Sequence, residues 1–360
     1  MNHPTIIVTG GHVTPAIAVI EELQEKNPDW QIEFIGRTES FESGGSPSYE
    51  ATLMREMGIP FHPIIAGKLQ RPWTIYTLLT VVKIPVGIMQ AMLLILKFRP
   101  QIVLTFGGYV AIPVVAAAWV LGVPIVTHEQ TQGMGFANTF IMRLAWRTFH
   151  ARDIGVPIRK TLFRPPARPS FAIKRNRPLL YITGGSTGAI SLNTLVFPLI
   201  CELIKSFTVV HQTGWSDRER AQKVREALPV DVRDHYITAD YFHGWDVAWL
   251  YRHVSLLIGR SGANTVAEVA ALGVPSLFIP LPWSSRGEQD QNAQKLVQAG
   301  SARVLAQQGL TDMILLSHIT DMIKHREALK HRALEVARIY PRESAREVAR
   351  EIERIVAHRA

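Results

Sequence analysis

Four short glycine-rich turns hold the residues best suited to gripping phosphate. They are Thr9-Gly10-Gly11-His12, Phe106-Gly107-Gly108-Tyr109, Gly184-Gly185-Ser186-Thr187-Gly188-Ala189 and Arg260-Ser261-Gly262-Ala263-Asn264-Thr265. Each follows a short apolar run and precedes a helical pattern. Backbone N–H groups at a helix N-terminus, with no side chain in the way, donate to phosphate oxygens. One such turn is weak evidence, because glycine also serves any tight turn; two in each half of the chain say more. The pattern GxxxxGK[ST] is absent, which argues against NTP hydrolysis, and GxGxxG is not strictly matched. One competing chemistry remains. Residues 184–188 fit GxSxG, the nucleophile elbow of serine hydrolases. Ser186 would be the nucleophile, with Asp231, Asp234, Asp240 or Asp246 and then His253 or a later histidine completing a triad. That reading leaves the other three turns without a purpose. The single cysteine, Cys201, excludes a disulfide framework and a cysteine-based zinc site.

The elements that must position these turns are legible. The runs Ile6–Val8, Ile102–Leu104, Leu179–Ile182 and Leu256–Ile258 read as strands, each leading through its turn into a helix. Alternating strand and helix implies an α/β fold with parallel sheets, whose ligands bind outside the carboxyl ends of the strands. A chain of 360 residues predicts two domains at roughly 150 residues each. The reading is two Rossmann-like domains with their binding edges facing across a cleft. Residues 1–163 form the first, the Pro- and Arg-rich stretch 164–178 the linker, and 179–340 the second. An amphipathic helix over 341–360 carries apolar Ala345, Val348, Ile352 and Val356 on one side.

Charge is uneven. The chain has 39 Lys and Arg against 30 Asp and Glu, a net charge of +9 that calls for a polyanionic partner. Residues 57–128 contain no acid at all, and extending to Arg152 adds only Glu129 against Lys68, Arg71, Lys83, Lys97, Arg99, Arg143, Arg147 and Arg152. Burial explains missing acids but not surviving bases. Apolar side chains beside Lys and Arg suit an anionic membrane surface. A spanning helix needs about 20 apolar residues; 75–96 is cut by Lys83 and Pro85, and 100–127 is punctuated by glycine and proline. A peripheral protein is expected. No RNP, zinc-finger or KH signature is present, so no nucleic-acid partner is expected.

Eight stretches, in order from about Thr5 to Leu310, resemble the MurG family of peptidoglycan N-acetylglucosaminyltransferases, of glycosyltransferase family 28. They are TGGHVTPAIAV (9–19), FGGYVAIPV (106–114), GVPIVTHEQ (122–130), GVPIR (155–159), ITGGSTGAISLN (182–193), VVHQTG (209–214), RSGANTVAEVAALGVPSLFIP (260–280) and EQDQNAQKLVQAGSA (288–302). The resemblance implies the GT-B fold and inverting transfer of GlcNAc from UDP-GlcNAc to the MurNAc 4-hydroxyl of undecaprenyl-pyrophosphoryl-MurNAc-pentapeptide (lipid I), giving lipid II. It implies a peripheral enzyme on the cytoplasmic face of the bacterial cell membrane. Segment 73–98 would supply the apolar contact, with Lys68, Arg71, Lys83, Lys97 and Arg99 on lipid phosphate.

Residue roles follow from that match and from the chemistry it implies. Glu268 matches the ribose-binding carboxylate. Ala263, Asn264, Thr265, Val266 and Ala267 with Ser186 line the nucleotide, and Arg159, Gln289, Gly244, Thr131, Thr9, Gly10 and Gly11 match further donor contacts. Gly107, Gly108, Tyr109 and His128 are expected on the acceptor side. A base near neutral pKa must take the hydroxyl proton; His12 at the tip of the first turn and the isolated acid Glu129 are the two candidates. No acidic cluster such as DxD adjoins a glycine turn, so neither metal nor cofactor is expected.

The chain departs from the family pattern at four places. The first turn reads VTGGH in place of GGTGGH, a shortened form. HEQT replaces HEQN, which puts Thr131 where an Asn contacts donor, a hydroxyl for an amide. The hydrophobic residue that packs on uracil is replaced by Gly244 or shifted to Phe242. A polar insertion occupies 41–48. A related transferase using a diacylglycerol acceptor, a non-catalytic nucleotide-sugar sensor and the Ser186 hydrolase are the alternatives.

Overall fold

The computed structural model describes residues 3–37, 48–67, 75–130, 135–185, 188–284 and 287–359, with the backbone alone at Tyr49 and 75–82. Of the residues singled out above, Lys68, Arg71, the first two residues of segment 73–98, Thr131, Ser186, Thr187 and the insertion up to residue 47 lie outside the described residues.

Among the described residues twelve strands alternate with helices. The first half carries β1 (Thr5–Thr9), α1 (Val13–Lys26), β2 (Gln31–Gly36), α2 (Tyr49–Glu56), β3 (Phe61–Pro63), α3 (Ile75–Phe98), β4 (Ile102–Thr105), α4 (Ala111–Val120), β5 (Ile125–Glu129), α5 (Phe136–Leu144), β6 (Arg147–His150) and α6 (Ala151–Ile154). The second carries β7 (Leu179–Thr183), α7 (Ile190–Val196), α8 (Ile200–Ser206), β8 (Thr208–Gln212), α9 (Arg218–Glu226), β9 (Tyr236–Ala239), α10 (Gly244–His253), β10 (Leu256–Gly259), α11 (Ala263–Leu272), β11 (Ser276–Phe278), α12 (Glu288–Gln298), β12 (Ala302–Val304), α13 (Asp312–Lys324), α14 (Arg326–Ile339) and α15 (Ser344–Ala357).

The strands form two six-stranded parallel sheets, ordered β3-β2-β1-β4-β5-β6 and β12-β11-β10-β7-β8-β9. Numbered from its own first strand, each has the order 3-2-1-4-5-6 of the Rossmann fold. Strands of such sheets are buried on both faces and read as unbroken apolar runs; Ile6, Ile7, Val8 and Leu256, Leu257, Ile258 are fully buried. Register then positions the turns. Thr9 lies opposite Thr105, and Thr183 opposite Gly259, so in each sheet two glycine turns leave the same edge side by side.

The chain divides into two compact units, 1–159 with 341–360, and 160–340. The C-terminal helix α15 therefore belongs with the first unit. It buries Val348, Ile352 and Val356, and Glu353 accepts from Asn27 just beyond α1 at 3.0 Å. Burying each such side chain contributes about 1.5–3 kcal/mol. The stretch 164–178, expected as a linker, is held by the second unit. The Ser170 amide and hydroxyl donate to the Asp246 carboxylate at 2.7 and 2.6 Å, Phe171 meets Phe242 and Trp249, and Thr208 Oγ1 donates to the Lys174 carbonyl at 2.9 Å. Its composition resembles a tether, but its one aromatic and one hydroxyl find buried partners.

Helix α3 runs unbroken through Pro85, whose ring is exposed. Gly87, Ala91 and Ile95 face inward, and Val86, Met89, Leu93 and Leu96 face solvent. Among the described residues no helix is long and apolar enough to cross a membrane.

Candidate active site and nucleotide site

In the first unit the two glycine turns touch. The Gly11 amide donates to the Gly107 carbonyl at 2.9 Å, and the Phe106 amide to the Thr9 carbonyl at 3.1 Å. Gly10 adopts φ +136°, and a Cβ there would lie 2.9 Å from the Phe106 nitrogen. Glycine is thus required for packing turn on turn, whatever else it binds. The shortened first turn sits directly on the second. Thr9 is fully buried on the strand end.

His12 follows as the N-cap position of α1 and makes no side-chain cap bond. The residue as a whole is half-buried. Burial holds its pKa below the ordinary histidine value, and the Glu129 carboxylate pulls it back up. At neutral pH such an imidazole is unprotonated and ready to accept a proton. Glu129, the last residue of β5, is buried, and its Oε2 accepts from Asn138 Nδ2 at 2.7 Å. Asn138 Oδ1 in turn accepts from the Gly108 amide at 2.9 Å. The structure therefore brings His12, Glu129, Gly10, Gly11, Gly107 and Gly108 to one edge of the sheet. Asn138 was not anticipated; a polar residue in the first turn of α5 carries no sequence signal of its own.

His128, expected to touch acceptor, is instead sealed in the core. It is 1% exposed, its Nε2 donates to the Gly155 carbonyl at 2.9 Å, and burial pushes its pKa down to about 4. Strand alternation explains the difference, since neighbours on β5 point to opposite faces. Tyr109 is half-buried, with the Arg37 guanidinium 4.9 Å over its ring. Arg159 is buried at the last position of the first unit's main stretch.

In the second unit the edge is polar but quiet. Gly262 caps α11 with no side-chain bond, so the amides of Ala263, Asn264 and Thr265 open its first turn. The side chains of Val266 and Ala267 are buried, and the Val266 amide already donates to the Gly262 carbonyl at 3.0 Å. Glu268 is buried, and its Oε2 accepts from Tyr251 Oη at 2.9 Å. Gln289 Oε1 accepts from the Leu281 amide at 2.9 Å and so holds the loop after β11. Gly244 opens α10 between His243 and Trp245, whose rings stack at 4.9 Å. Phe242 does not take over its place, because its ring is buried against Phe171 and Tyr181. Gly188 has φ +78°, and a Cβ there would lie 2.5 Å from the Thr213 carbonyl. The buried Arg260 ties the edge together, donating to the Ile279 and Pro280 carbonyls, Ser191 Oγ and Gln307 Oε1. Burial lowers its pKa to about 10, so it remains a cation. Among the described residues no group of three or more His, Cys, Asp or Glu side chains could hold a metal ion.

Two sheets of the same order, each with paired glycine turns, match known proteins along their length. Residues 5–150 match the glycosyltransferase family 28 N-terminal domain, and residues 179–352 the glycosyltransferase family 28 C-terminal domain. The chain belongs to glycosyltransferase family 28. Relatives within the family are UDP-N-acetylglucosamine--N-acetylmuramyl-(pentapeptide) pyrophosphoryl-undecaprenol N-acetylglucosamine transferases. The one from Anaeromyxobacter sp. (strain Fw109-5) is 32% identical, over 95% of this chain and 90% of the relative. The one from Legionella pneumophila (strain Paris) is 32% identical, over 91% and 92%. The crystal structure of Acinetobacter baumannii MurG superposes with a TM-score of 0.66 at 26% identity, covering 98% of this chain and 99% of that one. The family resemblance and the two-domain GT-B fold expected from the sequence hold, and the chain is a glycosyltransferase using a UDP-sugar.

Proposed function

We propose that this chain transfers GlcNAc from UDP-GlcNAc to the MurNAc 4-hydroxyl of undecaprenyl-pyrophosphoryl-MurNAc-pentapeptide, with inversion, to make lipid II. The observation that carries the reading is the neutral His12 coupled to Glu129 where two glycine turns abut, in a chain of this family. The 4-hydroxyl attacks the anomeric carbon as the bond to UDP breaks on the opposite face. The transition state gathers positive charge on the sugar and negative charge on the leaving phosphate. His12 takes the hydroxyl proton, and Glu129 stabilises the imidazolium that forms, a role worth typically 10²–10⁴-fold for a positioned base. Amides at the start of α11, and Arg159 by its match to the family pattern, are assigned to the leaving diphosphate. Glu268 accepts from a ribose hydroxyl. Gly10, Gly11, Thr131, Ser186, Gly244 and Gln289 complete the donor contacts, from which the fully buried Thr9 is withdrawn, and Gly107, Gly108 and Tyr109 those of the acceptor.

We further assign α3 as the face that meets the membrane. Val86, Met89, Leu93 and Leu96 recur at intervals of three and four, which is one face of a helix. They are exposed by 44–61%, and the exposed Lys83, Lys97 and Arg99 flank them. Each cation near an anionic surface contributes about 1 kcal/mol. This supports a peripheral enzyme on the cytoplasmic leaflet, where UDP-GlcNAc is available.

Incubation with UDP-GlcNAc and lipid I yields lipid II if the reading holds, and transfer to diacylglycerol alone overturns it. Sedimentation with anionic vesicles, lost in Leu93→Glu, tests the membrane face separately.

A further inference from the structure

We propose that Asn138 is a positioning residue that clamps Glu129 to the acceptor-side glycine turn and so fixes where the acid stands relative to His12. This rests on the reading of His12 and Glu129 given above. The Gly108 N–H can only donate, so the amide atom 2.9 Å from it is the oxygen. The nitrogen is then directed at Glu129 Oε2, 2.7 Å away. A single side chain thus satisfies one group on each of two loops that are far apart in sequence.

The turn is built around this amide. Gly107 and Gly108 have φ of +76° and +79°, and a Cβ on Gly107 would lie 2.5 Å from Asn138 Oδ1. The glycines admit the amide, and the amide holds the backbone conformation that only glycine adopts easily. A glutamate has three side-chain torsions to order, and Asn138 is the partner that holds one of its oxygens. Nothing in the stability of α5 calls for this residue. The helix is capped by Gly135 and buries Ile141, whereas Asn138 stays half-exposed.

The discriminating change is Asn138→Asp. It is isosteric and keeps an oxygen for the Gly108 amide, but sets a second oxygen against Glu129. Asn138→Asp should lower kcat about 100-fold, leave the KM for UDP-GlcNAc within twofold and leave the melting temperature unchanged. Wild-type turnover in Asn138→Asp, or an equal loss in donor KM, overturns the proposal.

A readout that needs no acceptor separates this from the functional reading itself. In Asn138→Ala the NMR titration midpoint of the His12 ring should fall, because the Glu129 charge that opposes burial is released. The neutral His128 is the other titratable group coupled to His12. An unchanged midpoint overturns the clamp even if lipid I proves not to be the acceptor.

Discussion

The two units repeat one strand order and one pair of glycine turns, yet the first edge couples a histidine to a carboxylate, His12 to Glu129, where the second joins Glu268 to Tyr251. The contrast is clearest in two histidines. His211 is fully buried in the second unit, its Nε2 on Asn193 Oδ1 at 3.0 Å and its Nδ1 against Tyr236 Oη at 3.1 Å. Burial pushes its pKa down to about 3. Both nitrogens are used internally, so it can move no proton to a ligand. His12 has its pKa lowered by the same cause, but the Glu129 carboxylate raises it again and the residue keeps part of its surface exposed. The fold supplies two glycine-lined edges; in the proposed mechanism proton transfer depends on leaving one imidazole half-finished.

The sharpest way to break this contrast is to delete one group from each edge. His12→Ala should lower kcat at least 10³-fold with little change in UDP-GlcNAc affinity, within the range for a lost general base. Glu268→Ala should weaken UDP-GlcNAc binding by about 10–100-fold, the effect of losing a charge-assisted hydrogen bond, and change kcat at saturation far less. Single-turnover kinetics beside calorimetric binding of UDP-GlcNAc reads both. If both variants fail in the same parameter, the division of labour between the units is wrong.

Glu129→Gln sharpens the first edge. The Glu129 charge raises the His12 pKa, so removing it lowers that pKa. The acid limb of the pH–rate profile should then move to lower pH while some turnover survives. If Glu129 is itself the base, turnover disappears across the whole range with no shift. The profile of log kcat against pH thus chooses between the two candidates.

Much of this was legible beforehand, and for a physical reason. Parallel strands buried on both faces are continuous apolar runs, and glycine marks where each one ends, so the four turns and the two sheets were readable. What could not be read was which side chains meet. Asn138 bonds Gly108 thirty residues away and Glu129 nine away, spacings that no helical or strand period links. The stretch 164–178 has a linker's composition, and only the fold brings Asp246, 76 residues on, to Ser170. His128 and Glu129 are neighbours with opposite fates because of alternation about β5, whose register a single sequence does not fix.

The glycines offer a smaller test of the same comparison. Gly10→Ala forces a side chain into φ +136° and to within 2.9 Å of the Phe106 backbone, which cannot yield without separating the two turns. Such strain costs about 1–3 kcal/mol, and the loss should appear in both thermal stability and kcat. Gly262→Ala meets nothing within 4 Å, at an ordinary φ of −63°. It should leave the melting temperature within a degree or two, and any effect it has should fall on donor affinity alone. Equal destabilisation by the two would mean that contact between turns does not set the first edge apart.

The buried histidines give an effect that appears only on acidification. In the folded chain His211 takes up a proton only near pH 3 and His128 near pH 4, whereas the unfolded chain binds both below about pH 6.5. Between those limits the unfolded state holds more protons, so stability rises with pH and is lost as pH falls from 6.5. At about 1.4 kcal/mol per unit, each histidine weakens the fold by roughly 2–3 kcal/mol at pH 4.5. His211→Gln can still donate to Asn193 and accept from Tyr236, but it does not titrate. It should be somewhat less stable than wild type at pH 7.5 and lose less on acidification, by about half of the combined histidine effect. Urea midpoints at pH 7.5 and 4.5 measure this directly. An acid sensitivity unchanged in His211→Gln would mean that His211 is not held neutral, and with it the proposed difference between the two imidazoles would fail.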